Sequence, residues 1–160
     1  DIATDFGVLP GALRVVPNGV DTELFKPRPS VTRKPGQIIA TASADAPLKG
    51  LPVLLHAVKR LVEAEPERQL VLIARPKAGG DTEALIERLG LFDQIRFVGG
   101  ASHEEINRLY AESAVAVVPS LYEGFGLPAV EAMAAGIPLV SSDGGALAEV
   151  VAGGGLVPSR

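Results

Sequence analysis

Two carboxylates, Glu123 and Glu131, flank a glycine-rich turn and the start of a short apolar helix. Pro128 suits the first turn of this helix and Gly136 the position just past its end. The helix is otherwise apolar and is therefore predicted to be buried, where an unpaired carboxylate is costly. Glu131 thus needs hydrogen-bond donors. These could be N–H groups of a neighbouring loop or the vicinal hydroxyls of a ligand such as a ribose.

The turn before this helix, at residues 123–127, offers backbone for anion binding. Gly124 and Gly126 have no side chains to shield the backbone, and the N–H groups of Phe125 and Leu127 lie beside the helix N-terminus. Free N–H groups and the positive end of the helix dipole attract anions. The same turn could equally be a purely structural connection between strand and helix, so the pattern leaves both interpretations open.

Further candidates follow other predicted strands. Lys49 follows the first strand and could neutralise a phosphate, although a lone loop lysine is more often a solvated surface residue. Arg75 and Lys77 follow the second strand and could point into the same crevice or into solvent. The backbone of Val98 and Gly99 follows the third strand, where a nucleotide base could stack or form hydrogen bonds.

From residue 37 onward, short apolar strands alternate with helical patterns. Strands are predicted at residues 38–42, 70–74, 95–98, 115–118, 139–141 and 156–157. Helices are predicted at residues 51–62, 82–89, 103–110, 129–135 and 146–151. Residues 13–16 also resemble a strand. This alternation predicts a doubly wound, Rossmann-like α/β domain with a parallel sheet of about six strands and helices on both faces. Ligands of such folds bind at the carboxyl ends of the strands.

Composition excludes several classes of protein. The 160 residues fit one domain, and the net charge of −4 argues against a nucleic-acid partner. The sequence contains no cysteine, and His56 and His103 are too far apart to suggest a metal site. No apolar run approaches the length of a transmembrane helix, and no signal peptide opens the chain, so we expect a soluble, cytoplasmic protein. No G-x-G-x-x-G follows the first strand and no Walker motif occurs, which disfavours a nicotinamide dehydrogenase.

Several motifs, in order and across nearly the whole chain, resemble the C-terminal, donor-binding domain of the retaining GT-B glycosyltransferases of family 4. The matching segments are PNGVD at residues 17–21, PLKG at 47–50, RFVG at 96–99, PSLYEGFGLP at 119–128 with Glu131, and GG at 144–145 with Glu149. Glu123 and Glu131 are the two ends of the E-x7-E motif of that family.

The resemblance implies transfer of a hexose from a nucleotide diphosphate sugar to an acceptor, with retention at the anomeric carbon and without a metal or another cofactor. It implies that Glu131 holds the donor ribose, that Lys49 binds the diphosphate and that Glu123 lies near the sugar as a catalytic candidate. Further donor contacts are expected at Gly19, Val98, Gly99, Gly124, Phe125, Gly126 and Leu127. Where many members of the family carry an arginine a few positions before the loop lysine, this chain has Ala44, and Arg75 could substitute.

The resemblance also divides the chain. Residues 1–36 are interpreted as the segment leading into the domain, and residues 37–160 as the donor-binding domain, truncated at its C-terminus. The N-terminal domain that binds the acceptor in this family is missing, so we expect donor binding without turnover. The full-length enzyme could associate peripherally with a membrane. The alternatives are a non-catalytic truncated or engineered Rossmann-like domain, or another GT-B enzyme such as a nucleotide-sugar epimerase.

Overall fold

The computed structural model describes residues 2–42 and 45–155. Its strands are β1 (Lys34–Thr41), β2 (Gln69–Ile73), β3 (Ile95–Phe97), β4 (Ser113–Val118) and β5 (Leu139–Ser141). Its helices are α1 (Ile2–Phe6), α2 (Leu51–Ala64), α3 (Asp81–Leu89), α4 (His103–Glu112), α5 (Leu127–Ala134) and α6 (Leu147–Val150). The five strands form one parallel sheet in the order β3-β2-β1-β4-β5.

Helices cover both faces of the sheet because successive residues of a strand point to opposite sides. Ile39 and Val71 face a core built with residues of α4, α5 and α6. Ile38 and Ala40 face a second core built with residues of α2 and α3. The predicted doubly wound α/β fold is therefore confirmed.

Two predicted elements have a different outcome. The strand predicted at residues 13–16 is wrong: this segment has no regular structure. No strand of the described sheet lies beside it, and Val15 and Val16 are 95% and 84% exposed. The strand predicted at residues 156–157 lies outside the described residues, so the described sheet has five strands rather than six. The five-residue helix α1 was not predicted, since so short a segment has no readable apolar period.

The strand order creates a crevice between β1 and β4. From β1 the chain continues to β2 and β3 on one side, whereas β4 and β5 lie on the other. The loops after β1 and β4 therefore diverge at the carboxyl edge, which is where doubly wound sheets bind ligands. Lys49 follows β1 and Glu123 follows β4, so the topology brings the two together. No helix in the described ranges combines the length and apolar character needed to cross a bilayer.

Candidate functional site

An ion pair spans the crevice between the loops after β1 and β4. Lys49 ends a 3-10 turn, and its Nζ lies 2.7 Å from Oε1 of Glu123. The same Oε1 accepts a hydrogen bond of 2.8 Å from the hydroxyl of the buried Ser120. The Glu123 side chain is only 12% exposed, so water screens this pair less than a surface ion pair. Lys49 is thus held at a defined place at the sheet edge.

The backbone around this pair is braced from two sides. The N–H of Leu121 donates to the carbonyl of Leu48 at 2.8 Å, which joins the two loops directly. The N–H of Ala146 donates to the carbonyl of Glu123 at 2.9 Å. The hydroxyl of Ser142 donates to the carbonyl of Ser120. These bonds fix the turn that carries Glu123 without using its side chain.

The first turn of α5 presents unused donors. Gly126 precedes the helix with a φ of +94°, and a Cβ there would come within 2.5 Å of the Leu147 side chain. In the part of the chain that the structure describes, no hydrogen bond is donated by the N–H groups of residues 124–127. A helix N-terminus with free N–H groups is a ready anion site.

Glu131 lies one helical turn into α5 and is half-buried. Burial raises the pKa of its carboxyl above the ordinary value, and the charge of His103 partly offsets this shift. Neither carboxylate oxygen accepts a hydrogen bond from another described residue. The structure therefore supplies none of the structural donors considered above, at least among residues 2–42 and 45–155.

Tyr110 ties this helix to the end of β1. Its buried hydroxyl lies 3.3 Å from the hydroxyl of Thr41 and donates to the carbonyl of Pro128 at 3.3 Å. Burial raises the pKa of the Tyr110 hydroxyl, so it stays protonated and can keep donating. The start of α5 is thereby fixed against the strand that leads to Lys49.

A cleft of about 310 Å³ opens at this edge. It is lined by Thr41, Ala42, Lys49, Ile73, Ala74, Arg75 and Pro128. The cleft brings together two of the predicted cations and the first turn of α5. A cavity of about 400 Å³ between α2 and α3 is larger, but it contains none of the predicted site residues. The smaller cleft is the better candidate because it lies at the carboxyl ends of β1 and β2 and beside the start of α5, the edge at which doubly wound sheets bind ligands.

The two predicted residues that follow β3 differ in their surroundings. Val98 is half-buried against the core beside α4, and its N–H donates to the carbonyl of Leu72 at 2.9 Å. Gly99 contacts the Arg75 side chain. Gly19, in contrast, is exposed, and no described contact links it to the cleft.

Two contributors were missed from the sequence. Ser120 could have been found, since a serine three residues before a glutamate is the spacing of local side-chain hydrogen bonding. Asp45 lies at a φ of +59°, and its carboxylate accepts from the N–H groups of Thr82 at 2.9 Å and Lys77 at 3.1 Å. These bonds lower the pKa of Asp45 and tie the loop after β2 to the loop after β1. No sequence pattern predicted this contact.

The described residues contain no cluster of three or more His, Cys, Asp or Glu side chains able to hold a metal ion. The positive charges that the cleft offers to a ligand come from side chains. Its backbone contribution comes from the N–H groups at the start of α5.

The raised pKa of Glu131 predicts a pH-dependent stability. Because the folded chain binds this proton more tightly than the unfolded chain, stability is lost as pH rises from the ordinary carboxyl pKa of 4.5 through the folded value. Replacing Glu131 with Gln removes the buried charge. We expect Glu131→Gln to melt at a higher temperature than wild type near neutral pH, with the difference shrinking as pH falls towards 4.5. Thermal unfolding across this range measures it, and a difference that grows on acidification would contradict the assignment.

The sequence matches a known protein family and a characterised relative. A profile of the family described as Glycosyl transferases group 1 matches residues 23–157. An MMP alpha-(1->4)-mannosyltransferase from Mycolicibacterium hassiacum is 57% identical over 152 residues, covering 94% of this chain and 36% of that protein. The chain therefore spans little more than a third of this relative's length.

Solved structures share the fold. The C-terminal domain of a glycosyl transferase group 1 family protein from Francisella tularensis superposes with a TM-score of 0.72 at 26% identity, over 89% of this chain and 80% of that one. The Anabaena protein HepE, solved in complex with UDP and glucose, superposes with a TM-score of 0.77 at 25% identity, over 98% of this chain and 46% of that one.

Proposed function

The chain belongs to the Glycosyl transferases group 1 family and is homologous to the C-terminal domain of GT-B glycosyltransferases, and from this premise we propose that it is the donor-binding domain of a retaining mannosyltransferase. The donor is a nucleoside diphosphate mannose. The name of the 57% identical relative supports mannose as the sugar. The observation that carries the proposal is the row of unused N–H groups at the start of α5, with the unpaired Glu131 one turn further on.

Each part of the donor has a matching group at the sheet edge. The diphosphate lies against the N–H groups of residues 124–127 and the ammonium of Lys49. The ribose hydroxyls donate to the carboxylate of Glu131, which has unused acceptor capacity. Oε1 of Glu123 accepts from Lys49 and Ser120, whereas Oε2 accepts no hydrogen bond from a described residue and can accept one from a hydroxyl of the sugar.

The same groups assist the reaction. When the bond between the anomeric carbon and the diphosphate breaks, the electron pair stays on the departing phosphate oxygen. The helix N-terminus and Lys49 stabilise this developing charge, which is electrostatic catalysis by prearranged donors. In the full-length protein the acceptor is supplied from outside this domain, so the chain alone is proposed to bind the donor without transferring its sugar.

Calorimetry tests the proposal. We expect one of GDP, UDP and ADP to bind the chain with a dissociation constant below about 1 mM, and its mannose conjugate to bind at least as tightly. Lys49→Met is expected to weaken binding about tenfold, because it removes a charge-assisted contact. The matched control is Lys59→Met on α2, where the lysine forms an ion pair with Glu63 of the same helix. The proposal fails if none of the three nucleotides binds at millimolar concentration.

A further inference from the structure

The positive charge of Lys49 is already matched within the protein. Its ammonium lies 2.7 Å from a carboxylate that is 12% exposed, so the two charges form a nearly neutral pair. A diphosphate group carries more negative charge than this pair and the partial charges of a helix N-terminus can balance. If the proposed donor binds here, a further cation is needed in the cleft.

Arg75 is the available cation. It and Lys49 are the two basic residues that line the cleft. In the described part of the chain, Arg75 forms no ion pair and donates no hydrogen bond to another residue. Its guanidinium presents a planar set of donors that can bind two phosphate oxygens at once, which the Lys49 ammonium cannot do.

The Arg75 side chain packs against the backbone of Gly99 and Gly100, which follow β3. A Cβ at Gly99 would lie 2.6 Å from Cγ of Arg75 and 3.0 Å from its Nε. A Cβ at Gly100 would collide with the guanidinium. The arginine side chain therefore lies directly across two glycines, in space that any other residue would fill. Gly99 has no positive φ, so its small size rather than its backbone conformation is what the arginine requires.

We propose that Arg75, packed against Gly99 and Gly100, is the second cation that binds the donor diphosphate. The assignment rests on the proposed function, because it takes a nucleoside diphosphate as the ligand. Asp45 supports the arrangement: its carboxylate holds the N–H of Lys77, two residues along, and so restrains the loop that carries Arg75.

The first test compares nucleotides with one and two phosphates. Arg75→Met keeps the aliphatic stem and removes the charge. We expect it to weaken binding of the nucleoside diphosphate about tenfold and to leave the monophosphate nearly unchanged, so that the preference for the diphosphate falls. The control is Lys77→Met, which removes the same charge from the same loop and should alter the diphosphate affinity by less than about twofold. Equal losses of diphosphate affinity in both variants would mean that any positive charge on this loop contributes through its electrostatic field. That result would overturn the proposal.

The second test addresses the contact between Arg75 and Gly99. Gly99→Ala must displace the Arg75 side chain. It should therefore weaken binding of the nucleoside diphosphate as Arg75→Met does, and leave binding of the monophosphate nearly unchanged. In the double variant the two losses should not add, because both remove the same contact. Additive losses would show that Gly99 acts independently of Arg75.

The outcomes separate this inference from the proposed function. If wild type binds the diphosphate and Glu131→Ala weakens it, but Arg75→Met binds as tightly as wild type, then the function stands and the role of Arg75 is wrong. If wild type binds no nucleoside diphosphate, both are wrong. Melting temperatures of all variants identify any loss that comes from unfolding.

Discussion

Glu131→Ala is expected to weaken binding of the nucleoside diphosphate about 100-fold. Two ribose hydroxyls donating to one carboxylate are charge-assisted hydrogen bonds, and their loss together is worth roughly two factors of ten in affinity. No residue in the described ranges donates a hydrogen bond to this carboxylate, so the substitution breaks none of the described side-chain hydrogen bonds, and the folded state should survive it. Calorimetric titration of both proteins with the same nucleotide measures the effect.

Deoxynucleotides make the test specific for the ribose. Wild type should bind the 2′-deoxy and 3′-deoxy forms more weakly than the ribonucleotide, whereas Glu131→Ala should bind all three alike, since the group that reads the hydroxyls is gone. Glu87→Ala, on the exposed face of α3, controls for the loss of one negative charge. If Glu131→Ala still discriminates between ribose and deoxyribose, another residue holds the sugar and the assignment of Glu131 is wrong.

Local patterns predicted the elements of this fold well. The strand at residues 139–141 has the bounds of β5, and Ser102 accepts from the N–H of Glu105 at 3.2 Å, as its spacing predicted. Such signals depend on neighbours within a few residues. Residues 13–16 have a similar apolar pattern, but a strand needs a partner strand, and no described strand lies beside this segment. Pairing is a property of the whole fold.

The candidate site was only partly predictable, because local sequence patterns do not reveal contacts between distant segments. The spacing of Glu123 and Glu131 lies within one strand-turn-helix unit and could be interpreted locally. The bond between Lys49 and Glu123 joins residues 74 positions apart and depends on β1 and β4 being neighbours. Similar apolar strands do not encode their order. The sequence therefore predicted both residues as ligand contacts. It did not predict that they pair with each other, or that Arg75 lines the cleft without an ion-pair partner among the described residues.

Gly50→Ala is expected to destabilise the chain by about 3 kcal/mol. Gly50 is buried at a φ of +64°, where any other residue is strained by about 1 kcal/mol. The new Cβ would also collide with the backbone carbonyl of Pro119, and overpacking against backbone costs about 2 kcal/mol more. For a domain of this size the melting temperature should fall by roughly 10 °C. Thermal and urea unfolding measure the loss.

A second glycine separates the two causes. Gly79 has a φ of +68° but nothing within 4 Å of its added Cβ, so Gly79→Ala should cost only the conformational strain, about 1 kcal/mol. The difference between the variants is then the contact between the loops after β1 and β4. Because Gly50 follows Lys49 and Pro119 precedes Ser120, forcing these loops apart should also separate the ion pair. Gly50→Ala should therefore weaken nucleotide binding even at temperatures where it is folded, whereas Gly79→Ala should not. Equal destabilisation by both variants would show that the loops tolerate separation, and the ion pair would then need another explanation for its fixed position.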